Sequence, residues 1–287
     1  MLIVDSQVHV WAPSTSERPW PPITKKPHRA EPLSPESLLR EMDIAGVDRA
    51  VLVSPSWEGI RNDLVLQAAQ SYPDRFRVMG RIDYESASAA SDFERLIAEP
   101  SVLGMRVAFH TPALQQGLAN GTFDWLWTAA EEAAIPLMVY APHPALNLIE
   151  RVAARHPKVR LIMCHLSIPI GTKDEEAFAG LDRLLDLARH PNIAAKASAL
   201  PGHSSGPYPY LNLHEQLRRV LAAFGPKRVF WGTDFSRLPC TYRRAITMYT
   251  EEMAWLSSEA KEWIMGRGLC EWLQWDRAAE IRSQTKG

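Results

Sequence analysis

The chain predicts a (β/α)8 barrel, and three observations carry that expectation. Short apolar, β-branched runs alternate with amphipathic helical stretches from one end to the other, and eight of the runs have strand length. No shift in composition, repeat or low-complexity tract divides the 287 residues, a length that α/β barrels reach as one domain, so residues 1–287 are expected to form a single unit. Polar and ionisable residues gather where the runs end, which is the end at which such barrels build their sites.

Strands are expected over residues 2–10, Arg49–Val53, 76–82, 104–109, 136–141, 160–166, 192–198 and 228–233. Between them helical periodicity covers Pro35–Ala45, 61–71, 87–98, 123–133, 145–155, 175–189 and 213–224, and two extra helices, 241–253 and 257–273, finish the chain. Ser34-Pro35-Glu36-Ser37 is a strong helix start, with proline in the first turn and an acid beside it. Pro73, Pro157, Pro191 and Pro226 each stop a helix shortly before a strand. A doubly wound open sheet is the alternative topology, but the glycine-rich phosphate turn that usually follows its first strand does not occur here. The C-terminal segment around Trp263, Trp272 and Trp275 reads as a helix closing the barrel base, with a dimer contact, and so a homo-oligomer, as the other reading.

The first strand carries the most informative pattern. Side chains alternate along a strand, so Asp5, Gln7 and His9 are expected on one face, converging at the carboxyl end. Such a cluster is a poor core and a good site. The other strand ends add Arg81, Arg106, His110, Tyr140, His143, His165, Lys196, Ser198, Asp234, Ser236 and Arg237. Each has a plainer reading: Asp234 could cap the following turn, His165 could be a core histidine, and Arg81 and Arg106 could be rim ion pairs. Two inward guanidiniums near one mouth would also suit a substrate carboxylate. Trp11, Trp20, Trp57 and Trp231 could wall a planar ring. The proline-rich stretch 11–35 directly follows strand one and reads as a lid or specificity loop.

Composition excludes other classes. A net charge of −1 provides no field for nucleic acid or anionic membrane, and no apolar run approaches bilayer length. The N-terminus lacks the pattern of a signal peptide. Cys164, Cys240 and Cys270 are odd in number and widely spaced, which fits a reducing cytoplasm.

Three motifs resemble the amidohydrolase superfamily, in its amidohydrolase-related branch. Asp5-Ser6-Gln7-Val8-His9 is similar to that family's Asp-x-His-x-His opening with Gln7 in place of the first histidine. Leu161-Ile162-Met163-Cys164-His165-Leu166-Ser167 resembles its strand-six signature, and Phe230-Trp231-Gly232-Thr233-Asp234-Phe235 its strand-eight signature. Tyr140 stands where metal-dependent members have a strand-five histidine. The tyrosine, His165 and Asp234 together resemble the metal-independent lactonases related to 2-pyrone-4,6-dicarboxylate hydrolase. That resemblance implies a hydrolase that opens a lactone or related ester-like carboxylate without an essential metal. Asp234 would be the base, His9 and His165 would polarise the carbonyl, and Gln7, Tyr140, Arg81, Arg106 and His143 would contact substrate. The alternative it leaves is a hydrolase or non-oxidative decarboxylase of an aromatic or muconate-like acid, holding zinc or manganese through His9, His165, Asp234 and Gln7. A third reading is a barrel that binds a ligand and has lost catalysis.

Overall fold

The computed structural model describes residues 1–22, 29 and 31–276. Eight parallel strands form one sheet in sequential order: β1 (Val4–Val8), β2 (Arg49–Val53), β3 (Phe76–Gly80), β4 (Val102–Ala108), β5 (Leu137–Tyr140), β6 (Leu161–Met163), β7 (Ile193–Ser198) and β8 (Val229–Gly232). The eighth strand returns to the first. Asp234 N donates to Gln7 O at 3.0 Å, and Thr233 N donates to the Asp5 carboxylate at 2.9 Å. The expected barrel is therefore the observed one, with helices in every connection.

Those helices are α1 (Pro35–Ala45), α2 (Asp63–Ser71), α3 (Ala89–Ile97), α4 (Pro112–Ala119), α5 (Asp124–Glu132), α6 (Leu146–Arg155), α7 (Asp174–Phe178), α8 (Leu181–Asp186), α9 (Leu211–Phe224), α10 (Tyr242–Thr247), α11 (Ser258–Glu262) and α12 (Gly268–Leu273). Ser34 caps α1 as its sequence foretells, its hydroxyl accepting from Ser37 N. Helix α4 was not anticipated. It starts on the Thr111 side chain with proline in its first turn, and with only eight residues, of which Leu114 and Leu118 are buried, it leaves little periodicity to detect. The expected helix over 175–189 is broken around Gly180, where a side chain would collide with His143.

Two apolar layers result. Alternate strand residues such as Met138, Ile162, Ala194 and Phe230 fill the barrel interior, and their neighbours, such as Val139, Leu161, Ala195 and Val229, pack against the helices. Leu273 and Trp275 join the interior cluster, and Arg49 and Arg77 both lie against the Trp275 ring, so the terminal segment plugs one end of the barrel. None of the described helices is long and apolar enough to cross a membrane.

Strand one corrects the expected face assignment. Its register against β2 runs Asp5 to Ala50 but Val8 to Leu52, so one extra residue bulges between them. The bulge inverts the alternation. Gln7 and His9 face the interior, while Asp5 turns to the β1–β8 seam and accepts from Gln7 N at 3.0 Å, Thr233 N, the Thr233 hydroxyl and Tyr242 OH at 2.7 Å. Asp5 is thus a staple of barrel closure. Burial, opposed by these donors, pushes its pKa up to about 6.

That shift has a testable sign. Between the ordinary value of 3.8 and about 6, folded Asp5 holds a proton that the unfolded chain has lost, so its contribution to stability declines as pH rises through this window. Relative to Asp5→Asn, which cannot titrate, the unfolding free energy of the wild type should fall by about 2 kcal/mol from pH 4 to pH 6. Urea melts of the two proteins across that range measure it. Parallel pH profiles would contradict the assignment.

Candidate active site

At the carboxyl end of the barrel lies a cavity of about 440 Å³, walled by Gln7, His9, Arg81, Arg106, Tyr140, His165, Asp234 and Arg237, among others. The local backbone explains why the sequence could not draw its floor. Strand β6 stops at Met163, three residues short of expectation, and His165, Leu166 and Ser167 follow with φ of 54°, 50° and 58°. Asp234, straight after β8, has φ of 49°. Left-handed backbone in non-glycine residues is strained and concentrates at functional sites. Here it swings His165 and Asp234 out of strand alternation and into the cavity.

Hydrogen-bond chemistry fixes the proton positions. Lys196 Nζ, a donor only, lies 2.5 Å from one end of the Gln7 amide, so that end is Oε1. The amide nitrogen then faces His165 Nε2 at 3.2 Å, which must accept. His165 therefore carries its proton on Nδ1 and donates it to Ser198 Oγ at 2.9 Å. Burial holds its pKa well below the usual histidine value, with Lys196, Arg106 and Arg237 adding to the effect and Asp234 opposing it, so the ring is neutral.

His9 and Asp234 form a second unit. His9 Nδ1 donates to Val53 O at 2.7 Å, which turns Nε2 to Asp234 Oδ1 at 3.1 Å. Arg237 Nη1 stands 3.8 Å from Oδ2. Burial works to raise the Asp234 pKa, but the His9 ring donating from Nε2, with the Arg237 guanidinium beyond it, outweighs burial, and the carboxylate stays ionised far below the ordinary range. Trp57 lies edge-on to the His9 ring, with centroids 5.7 Å apart.

The guanidiniums of Arg81 and Arg106 share the cavity wall. Burial, and then the charge of Arg106, pull the Arg81 pKa down to about 10. Arg81 is braced by the carbonyls of Ser54 and Gly59, at 3.3 and 3.2 Å. Two cations held together in a half-buried wall favour an anion between them. The Tyr140 hydroxyl donates to Ile168 O at 3.0 Å, anchoring the loop after β6, and its ring lies under Arg106, 5.9 Å from guanidinium to centroid.

Of the residues singled out from sequence, Gln7, His9, Arg81, Arg106, Tyr140, His165 and Asp234 meet around this one cavity. His143 does not. It lies buried in the loop after β5, donating from Nε2 to Leu166 O in the turn after β6 at 3.0 Å and packing on Gly180, between Pro142 and Pro144. Of the four tryptophans, Trp57 lines the cavity, whereas Trp11 and Trp231 belong to the outer core. The expected lid is described only in part, since residues 23–28 and 30 lie outside the described residues. Its described portion is tied to the β2 loop through Arg18 and Glu58 and to the turn after β8 by Arg29 over the Phe235 ring. Lys196, Ser198 and Arg237 acquire roles that strand-end position alone had not assigned; the parity of β7, with Ala194, Lys196 and Ser198 inward, was the available signal.

The amidohydrolase family model matches residues 4–267. The chain belongs to the amidohydrolase family. It is 29% identical over 299 residues to the L-fucono-1,5-lactonase of Burkholderia ambifaria, covering 96% of each chain. It is 26% identical over 238 residues to the 4-sulfomuconolactone hydrolase of Hydrogenophaga intermedia, covering 80% of this chain and 73% of the relative. Among solved structures, an amidohydrolase of Burkholderia multivorans with bound zinc superposes with a TM-score of 0.79 at 20% identity, covering 96% of this chain and 99% of the other.

The zinc of that relative raises the question of fit. Among the described residues, no three His, Cys, Asp or Glu groups come together as ligands for an ion. The lone pair of His165 Nε2 is taken by the Gln7 amide, Gln7 Oε1 by Lys196, and a buried ammonium beside a dication is repulsive. The donor set at the floor of this cavity does not fit a divalent ion.

Proposed function

We propose that this chain hydrolyses a lactone bearing an anionic group, and does so without a divalent ion. The observation that carries the reading is the ionised Asp234 paired with His9 on the floor of a cavity whose wall holds Arg81 and Arg106. Two relatives named for lactone hydrolysis, one of them for a sulfonated lactone, support it.

The chemistry follows from the proton positions. A water held by the His9–Asp234 pair attacks the lactone carbonyl carbon, and its proton passes to Asp234. The carbonyl oxygen gains charge and takes a hydrogen bond from the Gln7 amide, whose second N–H is available to the cavity it lines. Collapse breaks the ring C–O bond, and the proton moves from Asp234 to the departing alkoxide. One lactone and one water become one hydroxy acid, with no redox change. His165 is the neutral acceptor that keeps the Gln7 amide in this orientation. Arg81 and Arg106 hold the anionic substituent. A small-molecule substrate in the cytoplasm suits the three free cysteines.

A panel of neutral, carboxylated and sulfonated lactones, followed by acid release in weak buffer, tests the reading. One equivalent of acid per lactone opened, with anionic lactones favoured, is expected. No acid from any lactone, together with CO2 from an aromatic acid, would establish the decarboxylase alternative instead.

A further inference from the structure

Lys196 stands at an inward position of β7 and is fully buried, yet among the described residues no carboxylate lies within ion-pair distance of it. Its ammonium meets Gln7 Oε1 at 2.5 Å and the Met138 sulfur at 3.5 Å. A buried charge whose company is one neutral oxygen, one thioether and the Cys164 thiol, with no carboxylate in reach, is a poor investment in stability, and a methionine of similar length would pack there at lower cost. Folds retain such groups where function needs them. The connections point to what that function is. Lys196 grips the carbonyl end of the amide whose nitrogen end faces His165 and the cavity. A cation on that oxygen fixes which way the amide points and draws electron density from its N–H groups, making them better donors to a developing oxyanion.

We propose that Lys196 is the resident cation of this site. Kept at a cost to stability, it acts as a positioning residue through Gln7 and bars a divalent ion from the space beside it. The role in turnover rests on the lactonase reading; the exclusion of metal and the stability cost do not.

Three arms test it, two of which need no substrate. Lys196→Met should melt at or slightly above the wild-type temperature, because an unpaired buried charge is exchanged for an apolar chain of matching length. A melt several degrees lower would show that the amine holds the barrel together, and would overturn the proposed cost. Equilibrium dialysis against zinc should find no stoichiometric ion in the wild type or in Gln7→His. It should find about one per chain in Gln7→His/Lys196→Met, where His9, His165 and Asp234 gain a fourth ligand and lose the competing charge. Equal zinc uptake by Gln7→His with and without Lys196, or none by the double variant, removes Lys196 as the determinant. With a lactone substrate, Lys196→Met should lower kcat by roughly 10–10²-fold with little change in KM, and should add nothing to the loss caused by Gln7→Met. Unimpaired turnover, or losses that multiply, would show that Lys196 does not act through Gln7. An inactive wild type would count against the proposed function and leave the zinc and melting results to decide this one.

Discussion

Asp234→Asn should fold normally and lose turnover by roughly 10²–10⁴-fold, because the substitution keeps shape and removes the proton acceptor. Its Oδ1 is 3.1 Å from His9 Nε2, so the amide replacing it still finds a partner and the cavity floor should survive. Near-wild-type turnover by a folded Asp234→Asn protein would place the base elsewhere. The electrostatics also set the acid side of the pH profile. His9, with Arg237 beyond it, holds Asp234 ionised far below the ordinary carboxylate range, so protonation of this base cannot produce a loss of activity between pH 4 and 6. Steady-state rates on the acid side should therefore follow the stability of the fold rather than a carboxylate titration.

The second large effect is expected at the guanidinium wall. Arg106→Met should raise KM for an anionic lactone by roughly 10–10²-fold, the worth of a charge-assisted contact, while kcat changes little. For a neutral lactone the change in KM should be small or absent. Removing Arg106 also takes away a charge that depresses the Arg81 pKa, so Arg81 alone retains part of the affinity. The loss in Arg81→Met/Arg106→Met should then exceed either single loss. Equal losses on neutral and anionic lactones would mean that the two arginines brace the barrel mouth instead of reading charge. Both carry such bracing bonds, Arg81 to Ser54 and Gly59 and Arg106 to Val107, so the comparison between substrates is what separates the roles.

How much of this was legible in sequence follows from where local rules hold. Strand and helix alternation gave the barrel because the strands are largely buried on both faces and each helix between two strands buries one. Gln7, His9, Tyr140, His165 and Asp234 were expected around one cavity because polar strand ends converge at the mouth of a barrel, and they line one. Asp5 was misplaced, since one bulged residue inverts the faces of β1 and no alternation rule detects a bulge. His143 was placed at the mouth by its distance from Tyr140 along the chain, but between its flanking prolines it packs against the turn after β6 instead. Lys196 was seen as a strand-end residue without a role, because its meaning lies in the Gln7 oxygen across the barrel, 189 positions away. Long-range polar pairing of this kind has no signature in spacing. Nor has the run of left-handed backbone at residues 165–167, which no glycine announces.

The most direct measurement takes protein freed of metal by prolonged chelation, with zinc and manganese assayed on the same sample, and follows acid release from a carboxylated lactone. The arrangement of Lys196, Gln7, His165, His9 and Asp234 predicts full activity per chain in protein without metal, and no gain when zinc or manganese is restored. Activity that disappears with the metal and returns with one equivalent of ion per chain would contradict it.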